Sequence, residues 1–204
     1  MVEQRGTRAS KPSAREEILA RVRAATATAT ATPYAAPARA ARTASVDLFV
    51  ERVEDYRAVV ERCAEADLAD RVADAVEGCS VVVPEGLSVE VSGAVVDAGL
   101  SPLQLDAIDA VVTEAVLGIA ETGTIVLDHR AGQGRRAISL VPDRHVCIVR
   151  ADQVVADVPD AVALLHPDRP HTWISGPSAT SDIELSRVEG VHGPRNLHVI
   201  LLPA

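Results

Sequence analysis

The chain has 204 residues, 29 acidic against 20 basic side chains and a formal charge of −9, with 48% of residues hydrophobic and 2% aromatic. That apolar fraction is too high for a disordered chain, and no run reaches the roughly 18–20 apolar residues of a membrane helix. An acidic protein whose aromatics are Tyr34, Phe49, Tyr56 and Trp173 lacks the cationic surface that coats nucleic acid and the rings that stack bases, so no nucleic-acid partner and no membrane span are expected. Cys63, Cys79 and Cys147 are the only cysteines. An odd, widely spaced set without CxxC is neither a disulfide framework nor a zinc knuckle, and it cannot supply the four thiolates of a [4Fe–4S] cluster. No metal site is expected, and electron carriers, if the chemistry needs them, sit on other chains. Met1 to Gly6 opens no apolar signal segment, so a cytoplasmic protein with reduced thiols is expected.

In chain order, Ser13-Ala14-Arg15-Glu16 has the capping-box pattern ahead of Ile18, Leu19 and Val22, predicting a helix from about Ser13 to Ala25. Thr26 to Pro33 alternates Thr and Ala and has nothing large to bury. Residues 1–44 therefore read as a helix plus a flexible Ala/Thr/Pro linker, and 45–204 as the domain. Val46, Phe49, Val50 and Val53 predict a helix over Val46–Asp55. Arg57–Cys63 fits a strand or a continued helix. Leu68, Val72 and Val76 predict a helix that stops at Gly78. Ser80–Pro84, Asp109–Thr113, Thr124–Asp128, His145–Val149 and Leu197–Leu202 are short apolar runs of the kind buried on both faces of a parallel sheet. Pro102 opens a helix through Asp106, and Asp157–Leu165 is helical with Pro159 in its first turn. Strands alternating with helices specify an α/β domain with a largely parallel sheet flanked by helices, preceded by an N-terminal helical arm. Ligands bind beyond the carboxyl ends of such strands, so sites are expected in the segments that follow them.

Four segments carry residues suited to chemistry. Glu121-Thr122-Gly123-Thr124 enters a strand. Glu121 is placed to act as base or nucleophile, Thr122 to bond a ligand, and Gly123 to admit a ligand or backbone closely; an ordinary turn fits the same residues. Between His129 and Arg150, five arginines stand against one aspartate, a local charge of +4. There Arg135 and Arg136 offer forks, and Gly132 and Gly134 offer backbone donors, to a carboxylate or phosphate. The spacing completes neither a Walker loop nor GxGxxG, and a solvated basic hairpin fits equally. The third segment holds Ser175, Gly176, Ser178, Thr180, Asp182 and Glu184. Ser181 to Glu184 repeats the capping box, and a helix start behind a Gly-Pro-Ser turn presents N–H groups to an anion; Asp182 and Glu184 either bind a cation or cap that helix. In the fourth, His192 lies between Gly190 and Gly193, placed for proton transfer or as a plain turn residue. His145 and Cys147 share one strand face and read as a packed strand, since no third metal ligand can be assigned.

Ala120-Glu121-Thr122-Gly123-Thr124, Gly132-Gln133-Gly134-Arg135-Arg136, Pro142-Asp143-Arg144-His145-Val146, the run from Ser175 to Glu184, and Gly190-Val191-His192-Gly193-Pro194, in that order, resemble the LUD-domain family from about Asp47 to Leu202. Ala179 stands where many members carry Arg. The resemblance implies an α/β fold like that of ribose-phosphate isomerase, glucosamine-phosphate deaminase and CoA transferase. It implies a part in lactate utilisation, the oxidation of L-lactate to pyruvate, with iron–sulfur clusters held by partner subunits and no cofactor in this chain. The expected role is a component without clusters that binds a small carboxylate or phosphate. Two alternatives stand beside it: a stand-alone enzyme acting on a sugar phosphate or CoA ester, and a purely structural subunit.

Overall fold

The computed structural model describes residues 13–30, 42–180, 188–190 and 192–204. The chain divides into two units, Met1–Ala40 and Ala41–Ala204. In the first, the capping box forms as the sequence requires. The Glu16 N–H donates to Ser13 Oγ at 3.3 Å, and the Ser13 N–H donates to the Glu16 carboxylate at 2.7 Å. This starts α1 (Ala14–Thr26), none of whose residues is buried.

The second unit begins with α2 (Val46–Asp55), capped by Ser45, whose hydroxyl accepts from the Leu48 N–H. Arg57, at φ 68°, breaks the helical path, and the segment from Arg57 to Cys63 resolves into a strand, β1 (Val59–Arg62). There follow α3 (Leu68–Ala75), β2 (Val81–Val83), β3 (Val95–Val96), α4 (Pro102–Asp106), β4 (Ala110–Glu114), β5 (Leu117–Ile119), β6 (Thr124–Leu127), β7 (Arg144–Arg150), β8 (Val154–Val155), α5 (Val158–Leu164), β9 (Thr172–Ile174), β10 (Ala179–Thr180), β11 (Val188–Glu189) and β12 (Asn196–Leu202). Six strands form a sheet in the order β1-β12-β7-β4-β2-β3, with every neighbouring pair parallel. The central strands are continuous apolar runs because both faces are covered. The alternation of side chains assigns the faces. Val146, Ile148, Ile200 and Leu202 pack with Leu68 and Val72 of α3. Cys147, Val149, Leu197, Val199 and Leu201 pack with Phe49 and Val53 of α2 and with Ile125 and Leu127 of β6. Among the described residues no helix is long and apolar enough to cross a membrane.

The run Thr124–Asp128, expected in the parallel sheet, belongs to a second sheet ordered β8-β5-β6-β9. There β6 is antiparallel to both β5 and β9. Gly123, at φ 59°, turns the chain back on β5, a strand of three residues that periodicity does not mark. This sheet lies against α2 at close range: an added Cβ on Gly118 of β5 would stand 2.9 Å from the Phe49 ring.

Gly123 also meets α2, because an added Cβ would lie 2.6 Å from the Arg52 carbonyl carbon and 2.8 Å from its oxygen. Gly78, at φ 72°, has nothing within 4 Å of the same point. Gly78→Ala is expected to cost only backbone strain, about 1–2 kcal/mol. Gly123→Ala should cost about 1–3 kcal/mol more, from overpacking against backbone. Urea unfolding of both variants tests this, and equal losses would show that the Arg52 contact is not the cause.

Candidate functional site

A cavity of about 240 Å³ opens where the end of β9 meets the starts of β7 and β12. Arg136, His145, Trp173, Ser175, Ser178 and His192 are among its lining residues. It therefore lies at the amino ends of two central parallel strands, whereas the general rule for open sheets points to carboxyl ends. The second sheet explains the difference: β9 and the residues after it form a wall over this end.

Backbone bonds draw two separate sequence segments together here. The Ser178 N–H donates to the Pro194 carbonyl at 2.8 Å, and the Gly190 N–H donates to the Ser178 carbonyl at 3.0 Å. Ser178 Oγ accepts from the His192 N–H at 3.0 Å, which leaves its own hydroxyl proton available. Beyond Ser178 the backbone of Thr180 pairs antiparallel with Val188. His192 is exposed at the mouth, and Gly193 lies beside Ser178. Gly176 sits at φ 83° against Tyr56, whose Cβ would be 2.5 Å from an added side chain. Asp182, Glu184 and the cap expected at Ser181 lie outside the described residues.

Ser175 connects the cavity to a second, more open depression that holds Glu121, Thr122, Thr124 and Tyr56. Ser175 Oγ is 2.7 Å from Thr124 Oγ1, which is 2.7 Å from Thr122 Oγ1. Glu121 and His192 thus occupy different depressions joined by three hydroxyls. The Glu121 carboxylate is exposed and accepts from Arg42 at 2.8 Å.

The basic stretch is not one patch. Arg130 is paired with buried Asp128, and Arg150 with Glu65. Arg144 donates to the Ala75 carbonyl. Arg135 grips Asp97 through Nε at 2.6 Å and Nη2 at 2.9 Å, and also donates to the Leu100 carbonyl; its guanidinium holds the Asp97 carboxyl below the usual range. The Gly132 N–H donates to the Glu85 carbonyl, and Gly134 accepts from His129 through its carbonyl. Gly132, Gly134 and Arg135 are therefore grouped away from the cavity. Arg136 is at the cavity, bonded to Ser139 Oγ at 3.3 Å. It has no carboxylate partner among the described residues, and burial pushes its guanidinium down.

His145, assigned from its pattern to a packed strand, is 1% exposed yet is among the residues lining the cavity. Its Nε2 lies 2.8 Å from Thr113 Oγ1. Burial, and secondly the charge of Arg136, push it down to about 4. Its residue pattern does not mark it as a site: a period of two puts it on an inward face but does not show where that face opens. Among the described residues no group of three or more His, Cys, Asp or Glu is arranged to hold a metal ion.

The cavity residues from Arg136 to Leu197 all fall within residues 102–202, the span that matches the LUD-domain family model. The chain is 47% identical over 180 residues to the lactate utilization protein C of Deinococcus radiodurans, covering 83% of this chain and 85% of that protein. The chain belongs to the LUD-domain family. Lactate utilization protein C 1 of Bacillus mycoides is 34% identical over 104 residues, 47% of this chain and 44% of that protein. A crystal structure of a DUF162-family protein from Deinococcus radiodurans superposes with a TM-score of 0.66 at 39% identity, covering 77% of this chain and 95% of that one. The α/β architecture of this LUD-domain protein is thus shared with a solved relative.

The buried histidine makes the stability of the domain depend on pH. His145 titrates near 4 when folded and near 6.5 when unfolded. Above 6.5 both states are neutral; below it only the unfolded state takes up the proton, so stability falls as pH falls, until about 4 where both are charged. The loss between pH 7 and pH 5 from this group is about 2 kcal/mol. Urea unfolding of the intact protein and of His145→Gln across that range should show the difference. A variant with the same slope would refute it.

Proposed function

We propose that this chain serves lactate utilisation as the component without clusters, holding a small carboxylate at the Arg136 cavity while iron–sulfur subunits carry the electrons. The observation that carries this is the state of Arg136, a partly buried guanidinium at a cavity with no carboxylate to neutralise it among the described residues. Such a fork matches a carboxylate or phosphate. Ser175 and Ser178 add hydroxyl donors, and His192 at the mouth is the group for proton transfer. Thr122, Thr124 and Ser175 form a line of hydroxyls between the depression that holds Glu121 and the cavity. The volume, about 240 Å³, is under the roughly 300–1,000 Å³ of sites for drug-sized ligands, and suits a short acid better than a dinucleotide. The substrate class is suggested by the names of the relatives from Deinococcus and Bacillus. With three cysteines in the sequence, cluster chemistry falls to the partners.

Calorimetry with L-lactate, pyruvate and inorganic phosphate tests the binding part. A charge-assisted bond is worth about 1.5–3 kcal/mol, so Arg136→Gln should weaken carboxylate binding by about 10- to 100-fold. Arg135→Gln should leave affinity within about twofold while losing the Asp97 pair, since that pair lies outside the cavity. Unchanged binding by Arg136→Gln would sink the assignment. No binding of any of the three would leave docking of partners as the role.

A further inference from the structure

A separate depression of about 200 Å³ lies at the amino ends of β1, β12 and β7, and Arg57, Arg144, Arg195, Asn196 and His198 are among its lining residues. Register and alternation explain the grouping. Asn196 pairs with Arg144, and His198 with Val59. Side chains alternate along a strand, so Arg144, Asn196 and His198 share the face that α3 covers through Val146, Ile148, Ile200 and Leu202. The residues that line this depression carry three guanidinium groups and no acid. Arg144 is fixed from behind, since its Nη1 donates to the Ala75 carbonyl at the end of α3 at 2.8 Å, and it forms no ion pair among the described residues. Arg195 is gripped by Asp143 through Nε at 2.6 Å and Nη2 at 2.9 Å. Arg57 follows Tyr56, the C-cap of α2, and takes φ 68° while its N–H donates to the Glu54 carbonyl at 2.8 Å. Glycine is the usual residue at that position, because a side chain there strains the backbone. Glycine would end the helix with less strain, so a role for Arg57 falls to its side chain. The His198 side chain is 21% exposed, with Nε2 buried 3.5 Å from Glu61 Oε2, and Glu61 is itself paired with Arg71 at 3.2 Å. Burial holds the ring below its ordinary value against the pull of Glu61, so His198 is a neutral wall of the depression at pH 7.

We propose that this depression is a phosphate site, in which Arg57, Arg144 and Arg195 bind a free phosphate or the phosphoryl group of a small ester. It is a second site and does not depend on the Arg136 cavity. A phosphate carries about −1.5 to −2 charges at pH 7, more than the single guanidinium of that cavity balances. Three guanidinium groups, with Asp143 behind one of them, meet that charge, and their planar forks match its oxygens. The volume is under the range of sites for drug-sized ligands, so a phosphate with a few further atoms fills it.

The test is calorimetry of the full chain with inorganic phosphate and with glycerol 3-phosphate at neutral pH, joined to a long-range proton–nitrogen spectrum of nitrogen-15 histidine. Phosphate should shift the ring signals of His198, which His198→Gln identifies, and sodium L-lactate should not. Arg136→Gln should leave phosphate affinity within about twofold, whereas Arg144→Gln should weaken it by about 10- to 100-fold. Arg57→Gly should weaken it by about tenfold while the urea midpoint holds or rises, a pairing that loss of folded protein does not produce. If Arg144→Gln does not fold, the Arg57→Gly variant and the His198 shift still decide. Tighter binding of either ligand supports the site and names free phosphate or an ester as its source. Phosphate that shifts His145 or His192 but not His198, phosphate affinity lost in Arg136→Gln and kept in Arg57→Gly, or no binding of either ligand would overturn the proposal and leave the carboxylate site standing. Phosphate binding with the His198 shift, in a chain that binds neither L-lactate nor pyruvate, would support this site while removing the other.

Discussion

Phe49 and Val53 reach from α2 into a layer made by Cys147, Val149, Leu197, Val199 and Leu201, and Ile125 and Leu127 close on the same layer from the second sheet. Fully burying one such aliphatic or aromatic side chain is worth about 1.5–3 kcal/mol. Exposed ion pairs such as Arg62 with Asp47 or Arg150 with Glu65 are screened by water and add little by comparison. The apolar layer thus decides where the second sheet sits, and the ion pairs follow. Because β6 is pinned there and β9 is paired to β6, the end of β9 is held over the starts of β7 and β12. The cavity is a consequence of that placement. Its polar groups stand on strands and on turns bonded to one another, the kind of rigid support that fixes side-chain positions to a fraction of an ångström.

Close packing explains what the glycines do. Gly123 was a candidate for close approach, and close approach is what it provides, but towards the Arg52 backbone of α2. Gly134 stands against Ile138 and Pro84, and Gly132 against the Glu114 carboxylate. In each case the missing Cβ makes room for the protein itself. Sequence alone identifies a position at which a side chain is not tolerated; it does not say what occupies the space.

The main sheet was legible for a physical reason. β2, β4, β7 and β12 are buried on both faces, so each writes a run of β-branched and aliphatic residues. α2 and α3 each bury one stripe, which writes a helical spacing. The second sheet was not legible beyond β6, since β5, β8 and β9 have three residues or fewer and take their stability from neighbours rather than from pattern. At the site, the sequence marks the residues from Ser175 to Ser178 and those around His192 as two separate candidates, and only the bonds from Ser178 to Gly190, His192 and Pro194 bring them together. Arg135 and Arg136 are neighbours in sequence and chemically alike, so only the fold separates the one bound to Asp97 from the one beside the cavity. His145 looked like packing because it is packing on one side. Its other side is set by where β9 ends, which no local pattern encodes.

A net charge of −9 would seem hostile to an anion. The relevant quantity is the charge left over at the point of binding, because exposed charges beyond a Debye length of about 8–10 Å are largely screened. Asp97, Asp128, Asp143 and Glu65 are each matched by an arginine, so they contribute little field at the cavity. His145 is kept neutral by burial, so it adds a polar contact without adding charge. Among the described residues that line the cavity, the remaining fixed charge is that of Arg136. At 4 Å and an effective dielectric near 20, one unit charge attracts another by about 4 kcal/mol, against about 1 kcal/mol in bulk water. A single guanidinium beside a neutral imidazole balances a monocarboxylate, whereas the second charge of a dianion finds no further cation among the described residues lining the cavity. The electrostatics of the proposed site are therefore set by local pairing, through partners that the acidic total of the sequence does not reveal.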